Sequence, residues 1–304
     1  MVCQQLLSYL NPKQSLFQLL DIYTSIVIRE SVIFKITMDI LIIIISIILL
    51  LASIASFIPQ YLRIICYRDY AGISPLYVFF NLIVATEQFA IGLQFMVDNT
   101  DMANVIVKTP PTVIDWLNLI QFSVVFLCHL VLFGLYLCYP PKSNFKYYML
   151  AIYISFFLIS VAPVVLESTL EPAGSYSYRR LLAAVFFVLH TIFINPIITV
   201  LAAIAVFPQR HEILSHGEPR ALSFVGLAAQ AAVFAAVACV WPVRYTVGSD
   251  VPLIPWYQLV GWAAVDNLIF AIVQGVLFWT SWREQATTDT TKDINPEETT
   301  PLIA

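Results

Sequence analysis

The sequence predicts an all-α membrane protein: seven transmembrane helices in a 3+1+3 arrangement of parallel repeats. Three observations carry this. Of 304 residues, 60% are apolar and 11% charged, whereas a soluble fold of that length needs a wet, charged exterior. Apolar runs of about 20 residues, the length a bilayer crossing requires, recur along the chain. Finally, one skeleton appears twice at a single offset. Pro59-Gln60 followed by Gly72-Ile73-Ser74 returns 149 positions later as Pro208-Gln209 followed by Ala221-Leu222-Ser223, and Asn118-Leu119-Ile120 returns as Asn267-Leu268-Ile269. Duplicated membrane units commonly bind something small between them.

The spans are placed at 38–58, 74–97, 113–138, 147–168, 180–206, 221–243 and 255–281. Residues 1–37 form an N-terminal lumenal or extracellular segment, mildly amphipathic over 14–37 and suited to the membrane surface. Its first 20 residues contain Asn11, Pro12 and Lys13 and lack the apolar core of a signal peptide. Residues 38–138 are the first three-helix repeat, 139–179 a linker carrying the fourth helix, and 180–282 the second repeat. One intervening helix lets both repeats enter the membrane in the same direction, so the two are parallel and face each other across a cavity. Residues 283–304, rich in Thr and acidic side chains, are expected to be a disordered cytosolic tail.

Orientation follows from Lys and Arg. Loops after spans 1, 3 and 5, with the tail, hold Arg63, Arg68, Lys142, Lys146, Arg210, Arg220, Arg283 and Lys292; the alternate loops hold Lys108, Arg179, Arg180 and Arg244. The excess puts the Pro-Gln loops and the C-terminus in the cytosol, although Lys13, Arg29 and Lys35 pull the other way. Cys3, Cys66, Cys128, Cys138 and Cys239 show no paired spacing and read as small apolar fillers. His211 and His216 are five apart, which is not the spacing of a helical metal site. Nothing in the pattern points to catalysis, a metal, a cofactor or a nucleic-acid partner.

Each Pro-Gln pair has a physical reading of its own. Pro59 has no N–H to give the carbonyl of Ala55, and Pro208 none for Ile204. The neighbouring amide of Gln60 or Gln209 is a donor that suits such a carbonyl. A helix end that bends at low cost is a hinge; a plain helix stop at the membrane edge is the alternative.

Pro-Gln at the ends of spans 1 and 5, with Gly/Ala-Ile/Leu-Ser opening spans 2 and 6, resembles the PQ-loop repeat family over residues 38–282. That family includes SWEET sugar transporters, cystinosin-type lysosomal exporters and cationic amino-acid exporters. Ala221 departs from its pattern, where Gly is more usual. The resemblance implies a cavity between the repeats and an Asn on spans 3 and 7 that holds solute. By repeat position these are Asn118 and Asn267, with Gln121 and Gln274 sharing their faces. An Asn amide suits hydroxyl- or amine-bearing solutes, but it also bonds between helices.

Asp266 lies in the middle of the apolar seventh span, where a carboxylate costs about 2.5–3.5 kcal/mol on insertion scales. It is either a proton-coupling site or a neutral or paired acid tying helices together. Glu87, seven before Gln94 and on its face, is the second such acid. His129, His190 and Asn195-Pro196 are weaker polar interruptions. At the tail, Glu298 with Leu302-Ile303 resembles an acidic dileucine sorting signal for an adaptor.

The expectation is a transporter moving a small polar solute by alternating access across a vacuolar or lysosomal membrane. An amino acid or related solute, proton-coupled, is favoured by the buried acids. A sugar uniporter of the same fold, a non-transporting cargo or sorting receptor, and a homo-oligomer stay open.

Overall fold

The computed structural model describes residues 12–97, 107, 110–139, 144–169, 176–216, 221–244 and 252–294. All regular structure among them is helical: α1 (Pro12–Tyr67), α2 (Pro75–Val97), α3 (Val113–Cys138), α4 (Asn144–Thr169), α5 (Tyr176–Phe187), the π-helical segment π1 (Val188–Ile194), α6 (Asn195–Ile204), α7 (Val206–His216), α8 (Phe224–Arg244), α9 (Leu253–Trp256), the π-helical π2 (Tyr257–Gly261) and α10 (Trp262–Ile294). Among the described residues, seven helical stretches are long and apolar enough to cross a membrane, at Tyr23–Tyr67, Pro75–Val97, Val113–Cys138, Asn144–Thr169, Arg180–Ser215, Phe224–Arg244 and Leu253–Thr287. The protein is a seven-helix membrane protein.

The chain divides into two compact units, Met1–Ser46 and Ile47–Ala304. In the first, helix runs unbroken from Pro12. The sequence separates a surface segment from a span beginning near Met38; the observed helix makes no such division, because residues 14–58 contain neither Gly nor Pro to end it. Its large apolar side chains, such as Ile33 and Phe34, are exposed, as a lipid-facing helix requires.

Two further boundaries differ from expectation. The helices do not stop at the Pro-Gln pairs. α1 passes through Pro59 to Tyr67, and α7 carries Pro208 in its first turn and continues to His216. A proline removes one bond and leaves the helix able to continue. At the other end, α10 extends to Ile294 where the sequence predicts an unstructured tail from Arg283. Glu284, Gln285 and Ala286 favour helix, and Thr287 donates to the carbonyl of Arg283 at 3.0 Å.

Within Ile47–Ala304, α2 is enclosed on every side, with each residue from Asn81 to Gln88 buried. Phe57, Leu82, Phe133, Phe234 and Leu277 belong to the main core cluster around it. Lipid is as apolar as these side chains, so close packing and hydrogen bonds hold the bundle together. Two widened turns interrupt the second half. Pro196 cannot donate to Ile192, and π1 relieves the crowding at that point, with the Asn195 N–H reaching the His190 carbonyl. π2 ends similarly, Trp262 N–H to the Tyr257 carbonyl. Gly261 is required there, since a Cβ would lie 2.2 Å from the Trp256 ring.

Candidate functional site

The two Pro-Gln glutamines are crossed. Gln60 donates from Nε2 to the Ala221 carbonyl at 2.7 Å and accepts at Oε1 from the Ser223 N–H at 2.7 Å. Gln209 donates to the Gly72 carbonyl at 2.8 Å and accepts from the Ser74 N–H at 2.8 Å. Each amide thus satisfies a donor and an acceptor in the loop that follows the other copy's Pro-Gln pair. The two loops also touch directly, Ala221 N–H to the Ala71 carbonyl at 3.0 Å, and Arg63 holds the Leu222 carbonyl. The local role expected of these amides, rescuing the carbonyls freed by proline, is not what they do: both are buried and both reach across. The substitution at Ala221 also has its reason. Gly72 adopts φ 87°, a left-handed conformation suited to glycine, whereas Ala221 is not among the described residues with positive φ.

Asp266 is fully buried. Thr199 Oγ1 donates to its Oδ1 at 2.6 Å and Gln88 Nε2 to its Oδ2 at 3.4 Å. Thr199 in turn lies 2.6 Å from the Tyr257 hydroxyl, which accepts from Asn195 Nδ2 at 3.1 Å. With Thr199 donating to the carboxylate, Tyr257 donates to Thr199, and the whole chain points its hydrogens at Asp266. A protonated Asp266 would reverse the hydroxyls, because a hydroxyl both donates and accepts.

One residue earlier on α2, Glu87 is also fully buried. His190 Nδ1 lies 2.7 Å from its Oε1, and Ser160 donates to its Oε2 at 3.2 Å. His190 stacks on Phe186 with centroids 4.0 Å apart. Thus π1 supplies the partner of Glu87 and π2 supplies Tyr257 to the Asp266 chain, while Glu87 and Gln88 join the two networks through consecutive residues. π-helical turns frequently occur at functional sites. Gln94, on the Glu87 face as expected, donates to Glu167 at 2.9 Å, a third buried acid.

The four candidate solute ligands are dispersed. Asn118 lines a small cavity of about 20 Å³ with Gly92, Phe122, Trp241 and Trp262, and accepts from Arg244 Nη1 at 2.8 Å. Such a space holds about one water. Asn267 donates to the Ala263 carbonyl of its own helix at 2.6 Å and is not among the described residues lining that cavity. Gln121 donates to Ser53 at 2.8 Å, and its Oε1 is buried without a hydrogen-bond partner. Gln274 exchanges hydrogen bonds with the Tyr77 hydroxyl at 2.6 and 2.9 Å. A second void of about 10 Å³ lies nearer the Pro-Gln end, lined by Phe57, Gln60, Tyr77, His129 and Gln230. The His129 ring meets Phe57 and Phe270 edge-on at 5.0 and 5.5 Å. No group of three or more His, Cys, Asp or Glu among the described residues is placed to hold a metal. Glu298, Leu302 and Ile303 lie outside the described residues.

Residues 41–90 match the family described as PQ loop repeat. This chain carries a PQ-loop repeat. The match spans Pro59-Gln60, Gly72-Ile73-Ser74 and Glu87. Pro208-Gln209 lies outside the matched residues, and the crossed glutamines treat the two Pro-Gln pairs alike. No curated protein and no solved structure matches the chain significantly.

Around the PQ-loop core, sequence reasoning missed Gln88, Thr199, Tyr257, Glu167 and Arg244. Arg244 reads as a loop residue, yet it closes α8, is buried and lies 5.5 Å above the Trp241 ring. Gln88 and Glu167 carried a usable signal, since a strongly polar side chain within an apolar run must find an internal partner. Thr199 and Tyr257 carried none, because both are common in membrane helices.

Proposed function

We propose that this PQ-loop protein is a transporter moving a small polar solute, an amino acid or a related compound, across a vacuolar or lysosomal membrane by alternating access. The observation that carries the reading is the full burial of Asp266, held by Thr199 and Gln88 beside the Glu87–His190 pair. A buried acid in a membrane helix is costly unless it is paired or used. The chain of hydroxyls ending on Asp266 suits a group that gains and loses a proton. In this reading Asp266 is the coupling acid and Glu87 the reserve, while Asn118, Asn267, Gln121 and Gln274 contact solute when the cavity widens. The conformation described here has space for about one water around Asn118, which fits an occluded state. The PQ loops and the tail face the cytosol, Pro59 and Pro208 accommodate bending, and Glu298, Leu302 and Ile303 present a sorting signal to an adaptor.

The test is uptake by sealed vesicles carrying the purified protein, with an amino-acid and sugar panel and an imposed pH gradient. Gradient-stimulated amino-acid flux supports the reading. Sugar flux indifferent to pH favours a uniporter, and ligand binding without flux favours a cargo receptor.

A further inference from the structure

A groove of about 510 Å³ runs between α7 and α10. α7 lines it with Val206, Phe207 and Arg210, and α10 with Val276, Trp279 and Arg283. These positions recur at three- and four-residue intervals, so each set forms one helical face. The apolar members are left uncovered by protein: Phe207 is 65% exposed and Trp279 55%. Trp279 also packs against Trp282, with ring centroids 5.0 Å apart.

The order of residues along the groove is informative. Spans alternate in direction, so the fifth and seventh run the same way, and α7 and α10 both progress towards the PQ-loop side. Val206 and Val276 therefore lie deeper, Trp279 follows, Arg210 and Arg283 lie side by side nearer the membrane surface, and Leu214 continues the α7 side one turn beyond Arg210. Glu284 lies at that end too, leaving the cations in excess. Among the described residues neither guanidinium has a carboxylate within ion-pair distance. The repeat offset pairs Arg210 with Tyr61, Trp279 with Leu130 and Arg283 with Gly134. The groove thus belongs to the second copy alone, and the shared repeat architecture does not explain it.

We infer that this groove is a binding site for one anionic phospholipid. Its acyl chains would lie along Val206, Phe207 and Val276, the glycerol region against Trp279, and the phosphate between Arg210 and Arg283. A change from apolar through aromatic to cationic over about two helical turns matches the headgroup end of a phospholipid and the start of its acyl chains in chemistry, while a soluble anion has no use for the apolar floor. Tryptophan marks the headgroup level, and basic pockets between membrane helices on the cytosolic side recognise anionic headgroups. The inference is independent of which solute, if any, the protein carries.

Native mass spectrometry of the delipidated full chain, titrated with phosphatidylglycerol or phosphatidylcholine of identical acyl chains, tests it. Preferential retention of one phosphatidylglycerol is expected, and R210Q/R283Q should weaken it roughly ten- to thirtyfold. Trp279→Ala should weaken both lipids alike, and inorganic phosphate at the same concentration should not displace the lipid. Both arginines are exposed, so the double variant should fold; thermal unfolding checks this, and R210Q and R283Q separately give the same reading if it does not. Equal retention of the two lipids, retention unchanged by loss of the arginines, or full displacement by phosphate would each overturn the inference.

Discussion

Gln60 and Gln209 each hydrogen-bond the loop that follows the other, Gln60 at Ala221 and Ser223, Gln209 at Gly72 and Ser74. The relationship ties each Pro-Gln pair to the loop that follows the other. An apolar replacement at either position strands a buried carbonyl and a buried N–H in the opposite copy.

Gln60→Leu and Gln209→Leu should therefore each destabilise the protein by about 1–3 kcal/mol, read as lower thermal stability in detergent. Gln60→Glu should keep the bond from Ser223 and set a carboxylate oxygen against the Ala221 carbonyl, giving at least as large a loss. Wild-type stability in both leucine variants would mean that the crossed bonds contribute nothing.

Glu87 and His190 form a buried pair 2.7 Å apart. Removing one member strands a buried polar partner at a cost of about 1–3 kcal/mol, and replacing both costs less. Glu87→Gln and His190→Leu should each lower stability, and the double variant should lose less than the sum of the two single losses. Additive single effects in the double-mutant cycle would show that the two are not coupled.

Asn118→Ala and Asn267→Ala are expected to cut transport sharply while protein still reaches the membrane. The loss of one partner of a buried polar contact, about 1–3 kcal/mol, corresponds to roughly tenfold to a hundredfold in affinity. Because Asn118 also accepts from Arg244, Arg244→Lys separates solute contact from support. A rise in KM in the asparagine variants alone would mark direct contact, and normal transport in the double asparagine variant would remove both from the site.

For the tail, replacing Leu302 and Ile303 with Ala removes apolar burial worth about 1.5–3 kcal/mol per side chain if fully engaged by an adaptor. A tagged double variant should move from the vacuole or lysosome to the cell surface with transport intact. Unchanged localisation would place the targeting information elsewhere.

Seven spans, the 149-residue repeat and the buried acids were legible in the sequence because each is a contrast. A long apolar run, a repeated skeleton or a carboxylate in a greasy helix stands out without knowledge of its neighbours. What the polar groups touch was not legible. An amide such as Gln60 can turn to its own helix or reach across the bundle, and chain position does not rank the two. Asp266 meets Gln88 only because α2 is enclosed on all sides, a property of packing. The ends of α1 and α10 were misjudged for a simpler reason: charge and moderate polarity mark the edge of a membrane and not the end of a helix.

The central claim is that Asp266 couples proton movement to solute movement, and Asp266→Asn tests it most directly. Asparagine can still accept from Thr199, so the hydrogen-bonded chain persists while the titratable group is gone. Solute uptake in reconstituted vesicles should be stimulated by a proton gradient in the wild-type protein. In Asp266→Asn that stimulation should vanish while exchange of solute for solute persists. Gradient stimulation undiminished in the variant, at equal reconstitution, would contradict the account.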